Sequence, residues 1–340
     1  MAEASFKHPK SVSGVKPEVV EWLSSPQNPA VRYLTARDLV RPHSSEDSLR
    51  QVRREMLEWK PLQNVLALQL ANGSFPYAQK TPSAQPTFWA LHLMERCGMN
   101  VKDEPAARAM TYLTDNHLKK GALSYTSGGS GILPCYVGVV TRDLIRMGGL
   151  NTPLVEKSVQ WLVDHQRYDH KEIRAGGTKS WSYKAVDNYG CWESVSCYHG
   201  VVGAFQALAA IPLSHRPRKV IKAIDSALNY LEIHRIYKKS SNEKSLFRHM
   251  TQFFTIGDYR SDLLDVLEGI ADADPTLIHK DWVCSAVKDI EAMTTKDRIT
   301  LVKNYGKKLM EHIPFEPIGK PSRFLTYQWQ LIRHKFGLCP

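Results

Sequence analysis

No run of eighteen or more uncharged apolar residues occurs in this 340-residue chain, so no membrane-spanning helix is expected. The opening MAEASFKHPK lacks the apolar core of a secretory signal, and the expectation is a cytoplasmic protein. Cysteine is sparse: the six residues at 97, 135, 191, 197, 284 and 339 are too scattered for the dense framework of a disulfide-stapled domain, which points to reduced thiols. No Val/Ile/Thr alternation of strand length argues for a sheet. Gly-rich phosphate loops, a Ser-His-Asp order in suitable context and nucleic-acid modules are also missing, so no specific nucleic-acid partner is expected.

What the chain does contain is ordinary globular material, 43% hydrophobic and 23% charged. Lys and Arg number 45 against 34 Asp and Glu, a net charge of +11. That balance permits attraction to phosphate groups and peripheral contact with an acidic membrane surface. The basic residues are dispersed, which reads as a solvated surface.

Helical patterning runs through the sequence. A mobile segment over 1–15 is expected ahead of one domain over 16–340. Apolar helices start near 28, 85, 134, 196, 260 and 322, and amphipathic partners follow them, for example over 104–117, 153–166 and 217–234. A helix hairpin recurring every fifty to sixty residues cannot bury both faces alone. The expected fold is therefore all-α: an α/α toroid of about six hairpins, with inner helices apolar nearly all round and an outer ring of amphipathic ones. Tyr189 to Pro212 is the densest stretch, a loop rich in cysteine and aromatics running into the helix GVVGAFQALAAI.

A weaker fingerprint accompanies the repeat. Gln69 to Phe75 reads Q-x3-G-x-aromatic, Asn116 to Leu123 is a degenerate copy, and Gln166 reaches Gly177 and Trp181 across an insertion. These copies resemble the glutamine-tryptophan repeats of the squalene-hopene cyclases, and the chain from about residue 28 resembles the terpenoid cyclase and protein prenyltransferase toroid superfamily. The resemblance implies a central cavity for a hydrophobic, isoprenoid-like ligand, and cyclase-like or zinc-assisted prenyltransferase-like chemistry. The D-x-D-D acid motif of the hopene-type enzymes is absent. Asp272-Ala-Asp274-Pro reads instead as a turn and cap.

Parallel inner helices would gather their N-terminal ends at one mouth, bringing together Trp89, Cys135, Tyr136, Cys197, His199, Asp258, Asp262 and Tyr327. Thiolate and imidazole suit tetrahedral zinc, so Cys135, Cys197 and His199, with Cys191 as a fourth, form the candidate metal site. The other reading of these residues is small apolar packing for the cysteines and a carbonyl partner for His199. Asp258, Asp262 and Glu193 are the candidate acids. Trp89, Tyr136, Trp181, Tyr189, Trp192, Tyr198 and Tyr327 are candidates for lining an apolar or cation-steadying pocket.

Two alternatives stand beside the isoprenoid reading. One is a non-enzymatic toroid that binds a lipid or a protein partner. The other is a carbohydrate-active α/α barrel, in which Glu193 with Asp187 or Asp262 would act as a carboxylate pair on the order of 5 to 9 Å apart.

Overall fold

Proline opens most of the helices, because its fixed φ and missing N–H suit the first turn. The computed structural model describes residues 15–40, 45–76, 84–127, 131–168, 196–240, 242–255, 260–304 and 316–338. In chain order the helices are α1 (Pro17–Leu23), α2 (Pro29–Leu34), α3 (Glu46–Leu57), α4 (Lys60–Leu66), α5 (Gln85–Arg96), α6 (Glu104–His117), α7 (Pro134–Arg146) and α8 (Pro153–His165). They continue with α9 (Tyr198–Ala209), α10 (Arg218–Ile233), α11 (Leu263–Ala273), α12 (Asp281–Met293) and α13 (Arg323–Lys335). The chain is predominantly helical. Two antiparallel ladders of two residues per strand are paired among the described residues, Leu118–Lys119 with Ala122–Leu123 and Ile299–Thr300 with Pro321–Ser322. None of the described helices is long and apolar enough to cross a membrane. Residues 1–14 of the expected N-terminal segment lie outside the described residues, and Val15 is buried.

Caps fix several helix starts. Asn28 accepts from the Val31 amide, Ser45 from Ser48, and Ser322 from Leu325. Each bond satisfies one of the orphan first-turn donors. Past α2 the backbone widens into a π-helical turn over Thr35–Leu39, closed by the Val40 amide donating to the Thr35 carbonyl at 3.0 Å. Such turns redirect side chains, and here the turn carries Arg37 and Asp38.

Two kinds of helix alternate. α10 buries Val220, Ala223, Ile224, Ala227, Tyr230 and Leu231, a single 3.6-period stripe, and α6, α8 and α12 are similarly one-sided. By contrast α5, α7, α9, α11 and α13 are buried over most of their circumference. Contacts run from α5 to α7, α7 to α9, α9 to α11, α11 to α13, and α13 to α2. Gly98, just past α5, lies against α2: a Cβ there would be 2.9 Å from side-chain atoms of Leu34 and Tyr33. The one-sided helices α6, α8, α10 and α12 pack on α5, α7, α9 and α11 respectively.

The Q-x3-G-x-aromatic segment acts as a brace. Gln69 donates to the Gly73 carbonyl at 2.9 Å and to the Pro105 carbonyl at 2.8 Å, tying the turn after α4 to the start of α6, with Phe75 buried. Gly73 has φ of +88°, and a Cβ there would strike the Arg108 carbonyl oxygen at 2.3 Å, so glycine is required on both counts.

Candidate functional site

Of the helices that are buried over most of their circumference, α5, α7 and α11 carry charge on one stripe each, whereas α9 offers Gln206. On α5, His92, Glu95 and Arg96 share a face by their spacing of three and four. On α7 the corresponding set is Arg142, Asp143 and Arg146, and on α11 it is Asp265, Glu268 and Asp272. α13 adds Gln328 and Lys335. Burying ions costs free energy unless each is paired, and the pairing here is dense. Arg142 donates twice to Asp143 Oδ1, at 2.9 and 2.7 Å, and once to Gln206 Oε1 at 3.0 Å. The other Asp143 oxygen is hydrogen-bonded to His92 Nδ1 at 2.9 Å. Arg96 donates to Asp265 at 2.7 Å, and Gln328 bridges Asp265 and Glu268 at 3.0 and 2.9 Å. Arg146 reaches Glu268 at 3.1 Å and Asp272 at 3.0 Å, and Lys335 donates to Asp272 at 2.6 Å.

These pairings set the protonation states. Burial works to raise the Asp143 carboxyl, but Arg142 and His92 outweigh it and hold the group below the usual carboxylate range. Glu268 is likewise held low against burial by Arg146, Lys335 and Arg96, and Asp265 by Arg96 and Arg142. Asp262 goes the other way: burial and then the neighbouring Asp265 push it well above the ordinary value.

The C-terminal ends of six helical segments border a cavity of about 680 Å³. Arg37 and Asp38 come from the π turn, Glu95 and Arg96 from α5, Arg146 from α7, and Ala209 to Ile211 from the end of α9. Glu268 and Asp272 come from α11, and Tyr327, His334 and Lys335 from α13. Helix C-termini leave carbonyls unbonded and carry partial negative charge. Arg216 answers two of these ends at once: it donates to the carbonyls of Ala209 at 2.8 Å and Ile211 at 2.7 Å on one side, and of Asp272 at 2.6 Å and Ala273 at 2.9 Å on the other.

The charge balance of the wall is informative. The charged residues lining the cavity are the cations Arg37, Arg96, Arg146, Arg216 and Lys335 and the carboxylates Asp38, Glu95, Glu268 and Asp272. Arg216 is committed to main-chain carbonyls, however, and one carboxylate is short of a partner. Glu95 has only an approach of 4.0 Å from Arg146, and its Oε2 atom is buried without a hydrogen bond. Glu95 is therefore the least satisfied of the carboxylates that line the cavity.

His92, Glu95 and Asp143 place one ligand-type atom each within 4.8 Å of one another, the geometry of a group that could hold a metal. Arg142 Nη2 lies 3.2 Å from His92 Nδ1 and bonds Asp143, so a guanidinium already supplies positive charge to two of the three. The sequence reading sought thiolates and passed over this set. The H-x-x-E spacing within an apolar helix was the available signal.

The residues singled out from sequence are dispersed. Asp262 is the N-cap of α11 in a reciprocal capping box, accepting from the Asp265 amide at 3.1 Å, and also from Phe254 at 3.2 Å. Asp272, assigned from sequence to a turn, belongs to the charged wall, while Asp274 does cap the following turn through the Thr276 amide at 2.9 Å. Tyr327 lies on the cavity at the C-terminal end, donating to Asp38. Tyr198 is drawn to the turn that follows α10, where its hydroxyl donates to the Ile236 carbonyl at 2.7 Å. Tyr136 accepts from Gln85 at 2.7 Å and stands near Phe88 and Tyr125, and Trp89 is buried on α5. Cys135 sits in the first turn of α7, Cys197 is the N-cap residue of α9, and His199 stacks on Phe247 at 4.6 Å and on His249 at 5.2 Å. Sequence reasoning missed His249, whose short 3-10 turn has no periodicity to reveal it. Trp181, Tyr189, Cys191, Trp192, Glu193 and Asp258 lie outside the described residues.

No protein-family model matches this chain, and no curated protein matches it.

Proposed function

We propose that α2, α5, α7, α9, α11 and α13 form the inner ring of an α/α toroid of the terpenoid cyclase and prenyltransferase type, and that this toroid binds a small polar molecule through a positively charged group. The convergence of six helical C-terminal ends on one cavity supports the ring. The ligand class rests on a single observation: among the described residues Glu95 lines that cavity with no ion-pair partner nearer than Arg146 at 4.0 Å. Helix C-termini add negative potential, so an ammonium or amidinium group fits the position and an apolar chain does not. An organic cation is favoured over a metal ion because Arg142 already stands against His92 and Asp143.

A second reading keeps the isoprenoid-like ligand, at the N-terminal ends of the same helices. It is favoured by the grouping of Tyr136 with Phe88 at 6.2 Å and with Tyr125 at 5.7 Å. In that reading Cys135, Cys197 and His199, with Cys191, hold zinc. Elemental analysis separates this from packing: zinc that is present in the purified chain and lost in Cys197→Ser supports it.

Thermal-shift screening against ethanolamine, isoprenoid diphosphates and oligosaccharides tests the assignment. Stabilisation by ethanolamine is expected. A response confined to isoprenoid diphosphates removes the polar-cavity reading in favour of the second, and a response confined to oligosaccharides removes both.

A further inference from the structure

The link between α9 and α10 carries apolar and cationic surface that the fold does not use. Leu213, in a 3-10 turn over Leu213–His215, is 73% exposed, more than any other large apolar side chain among the described residues, and Ile221 on α10 is 42% exposed. Arg218, Lys219 and Lys222 surround them, all exposed. None of these three side chains has an ion-pair or hydrogen-bond partner among the described residues. Arg218, Ile221 and Lys222 share the face of α10 opposite its buried stripe of Val220, Ala223, Ile224 and Ala227. Asp225 is the only acid over 212–226. Acids at the nearby end of α11 are engaged elsewhere, Asp272 by Arg146 and Lys335 and Asp274 by the Thr276 amide. Helix stability does not account for the cations, because positive side chains in a first turn oppose the helix dipole. The other one-sided helices α6, α8 and α12 open with Glu104, Glu156 and Asp281, whereas α10 has no acid in its first turn.

We propose that this link docks the protein on an anionic lipid surface, with Leu213 entering the headgroup layer and Arg218, Lys219 and Lys222 lying against the lipid phosphates and carboxylates. A charged, fluid surface fits because the cations are spread along an exposed helix and not focused into a pocket. The projecting leucine favours lipid over a nucleic acid, whose backbone offers no apolar layer to receive it. Each basic residue held near an anionic leaflet strengthens binding about fivefold, so the three together supply about a hundredfold. The net charge of +11 adds attraction at longer range. Pro212, Leu213 and Arg216 also line the cavity, so docking sets the cavity rim against the lipid. Docking here is independent of which ligand the cavity takes.

Co-sedimentation of the full chain with vesicles of phosphatidylcholine alone, and of equal parts phosphatidylcholine and phosphatidylserine, tests the proposal. Binding is expected to the mixed vesicles only, and it should weaken as salt is raised. The variant combining Arg218→Gln, Lys219→Gln and Lys222→Gln should bind about a hundredfold more weakly. Leu213→Ser leaves the charge unchanged and should bind at least about threefold more weakly. All four positions are exposed, and circular dichroism checks that the variants fold as wild type does. Failure to bind the mixed vesicles, equal binding to both compositions, or binding retained in the triple variant overturns the proposal. Leu213→Ser binding as tightly as wild type overturns it too, in favour of a polyanion held by charge alone, which titration with double-stranded DNA would reveal.

Discussion

Gly138 on α7 and Gly203 on α9 stand so close that a Cβ on Gly138 would lie 2.1 Å from the Gly203 carbonyl carbon. Glycine inside a helix costs about 1 kcal/mol relative to alanine, and two in facing helices are accounted for by this backbone approach. Gly138→Ala is expected to destabilise the protein by roughly 3 kcal/mol, overpacking outweighing the gain in helix propensity. Urea denaturation measures it, and a neutral or stabilising effect would mean that α7 and α9 do not approach as described.

Arg216 joins the ends of α9 and α11 through four carbonyl oxygens. Arg216→Ala should cost roughly 2 kcal/mol, reduced for its partial exposure, because charge-assisted bonds to the last carbonyls are lost while water re-solvates some of them. Arg216→Lys, with a point charge and no fork, should recover less than half. Equal stability of Arg216→Lys and wild type would show that charge alone, not the forked bridge, matters.

Arg146 is the cation that Glu268 and Asp272 share. Arg146→Met leaves two carboxylates facing each other with Lys335, and Arg96 acting on Glu268, to offset them. A loss of about 3 to 5 kcal/mol is expected, as for other broken buried pairs. Adding Glu268→Gln to Arg146→Met should restore part of that stability, and a double variant no better than the single one refutes the pairing.

Stability should fall on acidification through the histidines. Burial, then His249 and Arg260, push His199 down to about 3, and burial with Arg260 and Lys303 pushes His249 down to about 4. In the unfolded chain both take up protons near 6.5, so the unfolded state binds more protons below that pH. Stability is then full above about pH 6.5 and declines as pH falls toward the folded values, with a slope approaching about 1.4 kcal/mol per pH unit for one histidine. Asp262 acts in the opposite sense, since it keeps its proton in the folded chain. The readout is therefore the difference between wild type and His199→Phe over pH 4.5 to 7.5, a window chosen from the cited shifts. Parallel curves for the two would contradict the assignment.

Helix positions were legible because proline, glycine and 3.6-residue periodicity act locally: Pro29, Pro86, Pro134 and Pro153 open helices where expected. α9 is the clearest case, its apolar run being buried from end to end apart from the part-exposed His199. The site was not legible in the same way. Arg142 with Asp143, or Asp265 with Glu268, look like ordinary charged helix positions until partners more than fifty residues away are known. The sequence reading followed reactive residue types, cysteine and tryptophan, to the helix starts. The charges that need partners most are at the helix ends, where backbone carbonyls and basic last turns meet.

The central claim is that the carboxylate of Glu95, on the cavity lining, meets a positively charged ligand group. Calorimetric titration of ethanolamine into wild type and Glu95→Gln, two side chains of nearly equal size, tests it directly. The account predicts measurable binding to wild type and at least about a tenfold loss in Glu95→Gln, with folding stability little changed. Equal ethanolamine affinity in the two proteins, or no binding to wild type, would contradict it.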